Sequence, residues 1–204
     1  MKKIFALFAL ALCAGFVAHA QKPQQMLDKA IAALKSAGTV TANYSVTSSQ
    51  GNNSGSIVMS GSRYRLTSAD VKCWFDGKTQ WTYSSATEEV NITTPTTTEL
   101  QQTNPYAAAQ DFKKNYYMWK AAGQVPGDYA IMLQPRQKGG GVEKVYLYIN
   151  NTTALLHKMH VKLADGNAYT VTLTNYKTRQ NLPAGTFTFD KNQVPTGTQV
   201  VDLR

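Results

Sequence analysis

The side chains that most often carry chemistry are few in this sequence, and their spacing is unfavourable for catalysis. Cys73 has no histidine in a recognisable catalytic motif with it, so we interpret it as a small buried strand residue rather than a nucleophile. His157 and His160 lie on a predicted strand without cysteine or acidic partners at metal-ligand spacing. Glu88 and Glu89 are adjacent on a strand and point to opposite faces, which makes them a poor acid–base pair.

Motifs for nucleotide, serine-hydrolase or zinc-protease chemistry are also missing. The sequence contains no P-loop, GxGxxG, GxSxG or HExxH pattern, and Asp76 and Asp165 are explained by the Asp-Gly turns that contain them. We therefore expect a binding protein rather than an enzyme, with no metal and no other cofactor.

Aromatic residues are concentrated in CWFDGKTQWTY (73–83), around one Asp-Gly pair that predicts a β-hairpin. A two-residue loop would place Trp81 and Tyr83 on the face opposite Cys73 and split the apolar set. A three-residue loop with Gly77 in the left-handed region places these apolar residues on one face. We prefer the three-residue loop for that reason.

The preferred hairpin register has a consequence for the two remaining aromatic residues. Trp74 points away from the apolar face, among polar neighbours, and Phe75 lies in the turn itself. We expect these two residues to be available for contact with a membrane or a partner.

Period-two alternation dominates the rest of the chain and predicts roughly eleven strands. Segments 22–38 and 106–123 are predicted to be helical, 50–55 and 94–105 to be loops, and 185–190 to be the last strand. No regular alternation of strands and helices is present, which argues against a parallel sheet. The predicted fold class is mainly β (α+β), with one antiparallel sheet long enough to curl and helices on one face.

Residues 1–20 have the pattern of a secretory signal peptide, with two lysines, the apolar run IFALFALALCAGFVA and the small-x-small site AHA. We expect cleavage after Ala20, so that residues 21–204 form one exported domain. A lipoprotein signal at Cys13 is the alternative, but Leu12 stands where a small residue is required.

The sequence is moderately basic. Its net charge is +9, and loss of the two N-terminal lysines leaves +7. This charge is compatible with an anionic membrane surface or an acidic partner. The basic residues are scattered, with Lys113-Lys114 the only adjacent pair after cleavage, so we expect no nucleic-acid partner. We expect the protein to be a monomer.

Several segments, in their order along the chain, resemble the periplasmic outer-membrane lipoprotein carrier family, the LolA-like proteins. The most specific piece is the DGKTQWTY hairpin (76–83), and VDLR at the C-terminus resembles versions from Bacteroidetes-type bacteria. The resemblance covers most of residues 23–204. The segments are FDGKTQWTY (75–83), EEVNIT (88–93), NPYAAA (104–109), DYAIMLQP (128–135), TFTFD (186–190) and VDLR (201–204).

The resemblance implies a strongly curved, incomplete antiparallel barrel of about eleven strands closed by helices. Such a protein shields the acyl chains of lipoproteins in an apolar cavity, which we expect to measure several hundred Å³ and to lie between sheet and helices. A packed interior without such a cavity would argue against a carrier. It takes lipoproteins from an inner-membrane ABC transporter and delivers them, through the periplasm, to an outer-membrane receptor or to the membrane surface. A periplasmic sensor or regulatory module is an alternative on the same fold, as is a glycan-binding protein that uses Trp74 as a stacking platform.

The carrier hypothesis assigns candidate site residues. Family members latch their helical lid with an arginine, for which Arg63 is the nearest candidate here, although the usual Arg-Pro pair is missing. The lid is expected over 105–119, with Met118 and Trp119 turned inward. The expected acyl-chain wall comprises Tyr44, Val46, Leu66, Trp81, Tyr83, Val90, Ile92, Met118, Trp119, Leu133, Val171 and Leu173.

Overall fold

The computed structural model describes residues 22–123, 125–137 and 139–204, which form three α-helices and twelve strands. The helices are α1 (Pro23–Ser36), α2 (Thr97–Thr103) and α3 (Pro105–Asn115). The strands are β1 (Thr39–Ser48), β2 (Gly51–Ser60), β3 (Arg63–Ser68), β4 (Val71–Phe75), β5 (Gln80–Ser84), β6 (Glu89–Thr93), β7 (Tyr116–Lys120), β8 (Asp128–Pro135), β9 (Val142–Asn150), β10 (Leu156–Leu163), β11 (Ala168–Thr178) and β12 (Gln199–Asp202). The proposed signal peptide lies outside the described residues.

All the strands belong to one curved sheet that does not close into a barrel. Its order is β12-β6-β5-β4-β3-β2-β1-β11-β10-β9-β8-β7, so β12 and β7 are its two edges. Neighbouring strands are antiparallel except β12, which pairs with β6 in parallel. The predicted mainly β class, with an incomplete antiparallel barrel and helices on one face, is confirmed, with one strand more than expected. We call the face that carries the helices the inner face and the opposite one the outer face.

Helix α1 covers the inner face of β8, β9 and β10. As predicted, it starts at a proline and is followed by a glycine with positive φ, Gly38. Its apolar stripe buries Met26 and Leu27, and α3 adds Ala109 to the same core. The strand residues buried in this first inner core are Tyr129, Ile131, Leu133, Val145, Leu147, Ile149 and Val161.

A second inner core lies on β2, β3 and β4. Tyr64 and Phe75 are fully buried there, with their ring centroids 5.1 Å apart. Three helical residues pack against this core, one from each helix: Leu34, Leu100 and Tyr106. The helices therefore cover the inner face in two separate places.

The outer face of β3–β6 is covered by the C-terminal segment, residues 179–198, which crosses the sheet on its way from β11 to β12. The ring of Phe189 meets the ring of Trp74 edge-on, with 5.5 Å between centroids. Lys72 Nζ donates to the backbone oxygen of Gln193 at 2.8 Å. This end of the sheet is consequently buried on both faces.

The predicted register of the aromatic hairpin is wrong. The structure pairs Phe75 with Gln80 and Trp74 with Trp81, so the loop has four residues rather than three. Cys73 therefore lies on the inner face while Trp81 lies on the outer face. The prediction assumed that one face of the hairpin is solvated, whereas the C-terminal segment covers that face with apolar side chains.

Asp76 explains the loop length. Its Oδ1 accepts hydrogen bonds from the backbone N–H groups of Lys78 and Thr79, both at 2.8 Å. Gly77 adopts φ of 107°, a value that favours glycine. The Asp-Gly pair thus begins a side-chain-capped four-residue loop instead of occupying a tight turn.

Trp74 and Phe75 are not available for membrane or partner contact. Trp74 is 0% exposed beneath the C-terminal segment, and Phe75 is 2% exposed in the second inner core. Both expectations were wrong because they were derived from the incorrect hairpin register. The alternative that used Trp74 as a glycan-stacking platform is contradicted by the same burial.

The region between β6 and β8 also differs from its prediction. Segment 94–105 was expected to be a loop but contains α2, whose start is a capping box between Thr96 and Glu99. The predicted helix over 106–123 ends at Asn115, and the aromatic run that follows is the edge strand β7. The run YYMWK has no alternation of apolar and polar residues, so its aromatic content was its one strand signal.

Two further predicted boundaries are wrong. Segment 50–55, expected to be a loop, is almost wholly part of β2, which pairs with β1 down to Gly51 opposite Ser48. Segment 185–190 is not a strand but part of the C-terminal segment, and its Phe187 and Phe189 pack on the outer face. Across the part of the chain that the structure describes, no helix has the length and apolarity needed to span a bilayer.

The first prediction contrasts two tryptophans. Trp74→Ala should lower the free energy of unfolding by about 3–5 kcal/mol, because it empties a fully buried site between the sheet and the C-terminal segment. Trp119→Ala should change it by less than about 1 kcal/mol, because that side chain is 43% exposed. Urea unfolding curves measure both values, and equal losses would contradict the assigned register.

The second prediction concerns Gly55, which lies opposite Tyr44 in the β1–β2 pair. A Cβ at this position would overlap the backbone oxygen of Thr67 and come within 2.7 Å of the Tyr44 hydroxyl. Gly55→Ala should therefore destabilise the protein by roughly 2 kcal/mol or more. Gly140→Ala is the control, since a Cβ there meets nothing within 4 Å. Thermal unfolding of both variants tests the difference, and equal melting temperatures would refute the close approach.

Candidate functional site

The inner face carries an apolar strip between its two cores. β1 and β11 run side by side there, with Tyr44 opposite Leu173 and Val46 opposite Val171. These four residues are half-buried and belong to neither core. We call them the central strip. Half-buried apolar side chains between two helix-covered cores are suited to bind an apolar ligand.

Seven of the twelve predicted wall residues lie on the inner face. Besides the central strip they are Leu66, which packs against the second inner core, and Met118 and Leu133, which belong to the first. Leu133 is completely buried, so in this closed arrangement it supports the wall rather than facing a ligand.

The other five predicted wall residues lie on the outer face, so placing them in the wall was wrong. Trp119 is opposite Met132 on the outer side of the edge strand β7 and is exposed. The remaining four follow the hairpin register to the outer face, where most of them pack with Trp74 under the C-terminal segment. They are Trp81, Tyr83, Val90 and Ile92.

The predicted lid over 105–119 contains α3 but ends in the strand β7, and it leaves out α2. We apply the name lid to α2 and α3, which polar contacts attach to the second inner core. Asn104, the residue between the two helices, is 4% exposed and donates through Nδ2 to the backbone oxygen of Ser62 at 2.9 Å. Its Oδ1 accepts from the N–H of Tyr106 at 2.9 Å and so caps α3. One amide side chain thus both starts the second lid helix and ties it to the β2–β3 turn.

Tyr64 provides the second attachment. Its hydroxyl donates to Gln80 Oε1 at 2.7 Å, so its oxygen accepts from Thr103 Oγ1, which lies at 2.9 Å. Burial raises the pKa of Tyr64 to about 12, so the hydroxyl stays protonated and the attachment is neutral near pH 7. The Asn-Pro pair at the start of α3 could have indicated the attachment at Asn104 from the sequence. No sequence pattern indicated the role of Tyr64.

Arg63 does not latch the lid. Its guanidinium carbon lies 4.9 Å from the centre of the Phe187 ring, on the outer face, whereas the lid lies on the inner face. Strand alternation explains the error, because Arg63 and Tyr64 are neighbours in β3 and point to opposite sides. The inward-pointing tyrosine makes the lid contact instead.

Neither of the two best-defined cavities in the described part of the chain is the large apolar one expected between sheet and helices. A cavity of about 360 Å³ has mixed walls, in which Arg63 and Asp76 stand beside Leu182 and Phe187, and it lies against the C-terminal segment. A second, of about 150 Å³, borders the central strip at Leu173 and is also lined by Leu155, Leu156 and Tyr176. Only the second adjoins the central strip, and it is the size of an engineered cavity that holds benzene.

The cysteine and histidine side chains of the described residues are buried or hydrogen-bonded within the fold. Burial raises the pKa of the Cys73 thiol to about 11, which leaves it protonated and unreactive near pH 7. His157 Nδ1 lies 2.8 Å from a carboxylate oxygen of Asp128, and His160 Nδ1 lies 2.9 Å from the hydroxyl of Thr170. Within the described ranges, no three histidine, cysteine or acidic residues are grouped closely enough to hold a metal ion.

A solved structure shares the fold at low sequence identity, and others are more distantly similar. An uncharacterised conserved protein from Thermus thermophilus superposes with a TM-score of 0.62 at 13% identity, over 88% of this chain and 98% of that chain. A LolA superfamily protein from Nitrosomonas europaea gives 0.43 at 12% identity, over 82% and 98%. The MucA/MucB complex from Pseudomonas aeruginosa gives 0.44 at 12%, over 80% of this chain and 61% of that chain.

Sequence comparison identifies the family. No curated protein matches this chain. The model of the family described as outer membrane lipoprotein carrier protein LolA matches residues 13–167, which is well over half of the sequence. The match includes the helices, the aromatic hairpin and β1, the first half of the central strip. The chain therefore belongs to the outer membrane lipoprotein carrier protein LolA family.

Proposed function

We propose that this protein is a periplasmic carrier that shields the acyl chains of lipoproteins on the central strip, beneath the lid. The observation that carries the proposal is the strip itself: four apolar side chains, half-buried, between two cores that the helices already cover. Membership of the lipoprotein carrier family supports the class of ligand. We further propose that residues 1–20 are the export signal and residues 21–204 the functional domain.

The physical need for a carrier follows from the acyl chain. Each methylene exposed to water costs about 0.8 kcal/mol, so one long chain costs on the order of 10 kcal/mol. A cavity of about 150 Å³ holds only a small part of such a chain. Binding therefore requires the lid to move away from the strip, which joins this cavity and the strip into one groove.

The way the lid is attached suits such a movement. Its polar attachments to the sheet are neutral hydrogen bonds from Asn104 and Thr103, each of which contributes about 1 kcal/mol net. Lys113 of α3 also pairs with Asp28 of α1, and this partly exposed ion pair contributes less than about 1 kcal/mol. Three of the lid's apolar anchors, Leu100, Tyr106 and Phe112, are only partly buried, and its buried anchor, Ala109, is a small side chain. An acyl chain that enters the groove replaces these apolar contacts with its own, so opening the lid costs much less than chain burial gains.

Delivery completes the proposed function. The carrier would receive lipoproteins from an inner-membrane ABC transporter and release them at the outer membrane, to a receptor protein or to the membrane itself. Release requires that the lid contacts re-form as the chain departs.

The third prediction tests the strip with adjacent residues of β11. Leu173→Glu should reduce binding of a fluorescent long-chain acyl probe at least roughly tenfold, because a carboxylate would be buried against the chain. Thr172→Glu is the control, since Thr172 points to the outer face and should leave binding within about twofold of wild type. Fluorescence titration measures both affinities.

The same comparison should appear in material from the cell. Protein purified from its own periplasm should carry acylated lipoprotein, seen by native mass spectrometry, and Leu173→Glu should lose it while Thr172→Glu keeps it. Equal binding by the two variants, or no acyl ligand on the wild-type protein when release is blocked, would contradict the carrier proposal.

The fourth prediction tests the lid attachment. Tyr64→Phe removes the hydroxyl that joins Thr103 to Gln80 and should raise amide hydrogen exchange in α2 and α3 by about fivefold. Tyr176→Phe is a matched control, because its buried hydroxyl donates to the backbone oxygen of Leu156 in the sheet, at 2.6 Å. Mass-spectrometric exchange should show the increase in the lid for the first variant alone. Unchanged amide exchange in the lid of Tyr64→Phe would show that this hydroxyl does not hold the lid.

A further inference from the structure

We propose that the outer face of β7–β10 docks on the headgroup layer of an anionic phospholipid bilayer. The residues concerned are called the basic aromatic patch. Its aromatic members are Tyr117, Trp119, Tyr146 and Tyr148, and its basic members are Arg136, Lys158 and Lys162. The proposal concerns a surface on the opposite side of the sheet from the central strip and does not depend on what the strip binds.

Strand register places the patch on one continuous surface. Trp119, Met132, Tyr146 and His160 stand directly opposite one another across β7, β8, β9 and β10. In an antiparallel sheet, residues opposite one another share a face. The row is therefore an apolar and aromatic band that runs inward from the edge of the sheet.

Basic side chains lie over the aromatic rings of this surface. The guanidinium carbon of Arg136 is 4.4 Å from the centre of the Tyr117 ring, and Lys158 Nζ is 4.4 Å from the centre of the Tyr148 ring. Tyr117 and Trp119 are 47% and 43% exposed, and their ring centroids are 5.8 Å apart. Large aromatic rings that are exposed to solvent beside basic side chains are typical of membrane-interface anchors.

The charge of the patch complements an anionic surface. Among the described residues, Arg136, Lys158 and Lys162 form no ion pair, so their charges are available to a ligand. Two acids near the patch already have partners: the Asp128 carboxylate lies 2.8 Å from His157, and Glu143 lies 3.6 Å from Lys144, the residue opposite Lys162. Each basic residue close to an anionic bilayer strengthens binding roughly fivefold.

A lipid surface fits these observations better than a glycan does. Sugars stack on open aromatic faces, but cations already cover the faces of Tyr117 and Tyr148. A lipid headgroup layer instead offers phosphates to those cations and an apolar boundary to Trp119.

The edge strand β7 limits how deeply the protein can insert into the bilayer. Among the described residues, one side of β7 has no strand partner, and free N–H and C=O groups on that side would be costly in hydrocarbon. Lys114 and Lys120 flank this edge and are exposed to water. The contact is therefore confined to side chains at headgroup depth, which makes it reversible and leaves the lid on the opposite face free to open.

Vesicle flotation tests the proposal with the purified full chain without bound lipoprotein. The protein should float with phosphatidylcholine vesicles that contain roughly 30% phosphatidylglycerol but not with pure phosphatidylcholine, and about 0.5 M salt should release it. Trp119→Ser should weaken binding roughly tenfold, and Lys158→Gln roughly fivefold. Leu203→Ser is the apolar control, since Leu203 is 61% exposed beside the opposite edge, and Lys29→Gln on α1 is the charge control.

Both controls should bind like wild type, and all four variants should keep the melting temperature and the affinity for the acyl probe. Absence of binding to anionic vesicles, or equal binding by Trp119→Ser and Leu203→Ser, would overturn the proposal. So would binding that a soluble glycan displaces, or binding that appears only when a membrane protein is built into the vesicles. The acyl-probe measurement keeps these outcomes separate from failure of the carrier proposal.

Discussion

A sheet of twelve strands that does not close has more inner surface than three short helices can cover, and the rest of the structure follows from this mismatch. The helices have 14, 7 and 11 residues, and they cover the inner face at two places, on β8–β10 and on β2–β4. β1 and β11 lie between these places, and their central strip stays half-open. An ordinary core would fill this gap with side chains. We propose that here the gap is left for an acyl chain.

The outer face of the sheet is covered at one end and exposed at the other. On β3–β6 the C-terminal segment lies over Trp74, and β12 then extends the sheet in parallel to β6. This arrangement gives the aromatic hairpin two buried faces and makes it a rigid support for the lid attachment at Tyr64. On β7–β10 no segment of the described residues covers the outer face, and Tyr117 and Trp119 there remain exposed. The same sheet thus combines a closed end, which holds the latch, with an open end.

The sequence predicted the fold class, α1, most strands and the family, because period-two alternation and turn residues are local signals. It failed where burial on the second face came from a distant part of the chain. The apolar residues of the hairpin could not be sorted by face until Phe189 was known to pack on Trp74. The wall residues that depended on this register failed together, whereas Tyr44, Val46, Val171 and Leu173 were placed correctly because β1 and β11 have one half-open and one polar face. The capping box before α2 was visible in the sequence but was overlooked among threonines.

The central claim is that an acyl chain lies on the central strip, between the two inner cores. Intermolecular nuclear Overhauser effects between the chain of a bound acylated peptide and the methyl groups of the protein test this claim most directly. The account predicts contacts to Val46, Val171 and Leu173, and none to Val90 or Ile92, which lie on the outer face. Contacts to Val90 and Ile92 instead, or no contacts to the strip in a complex that binds the peptide, would contradict it.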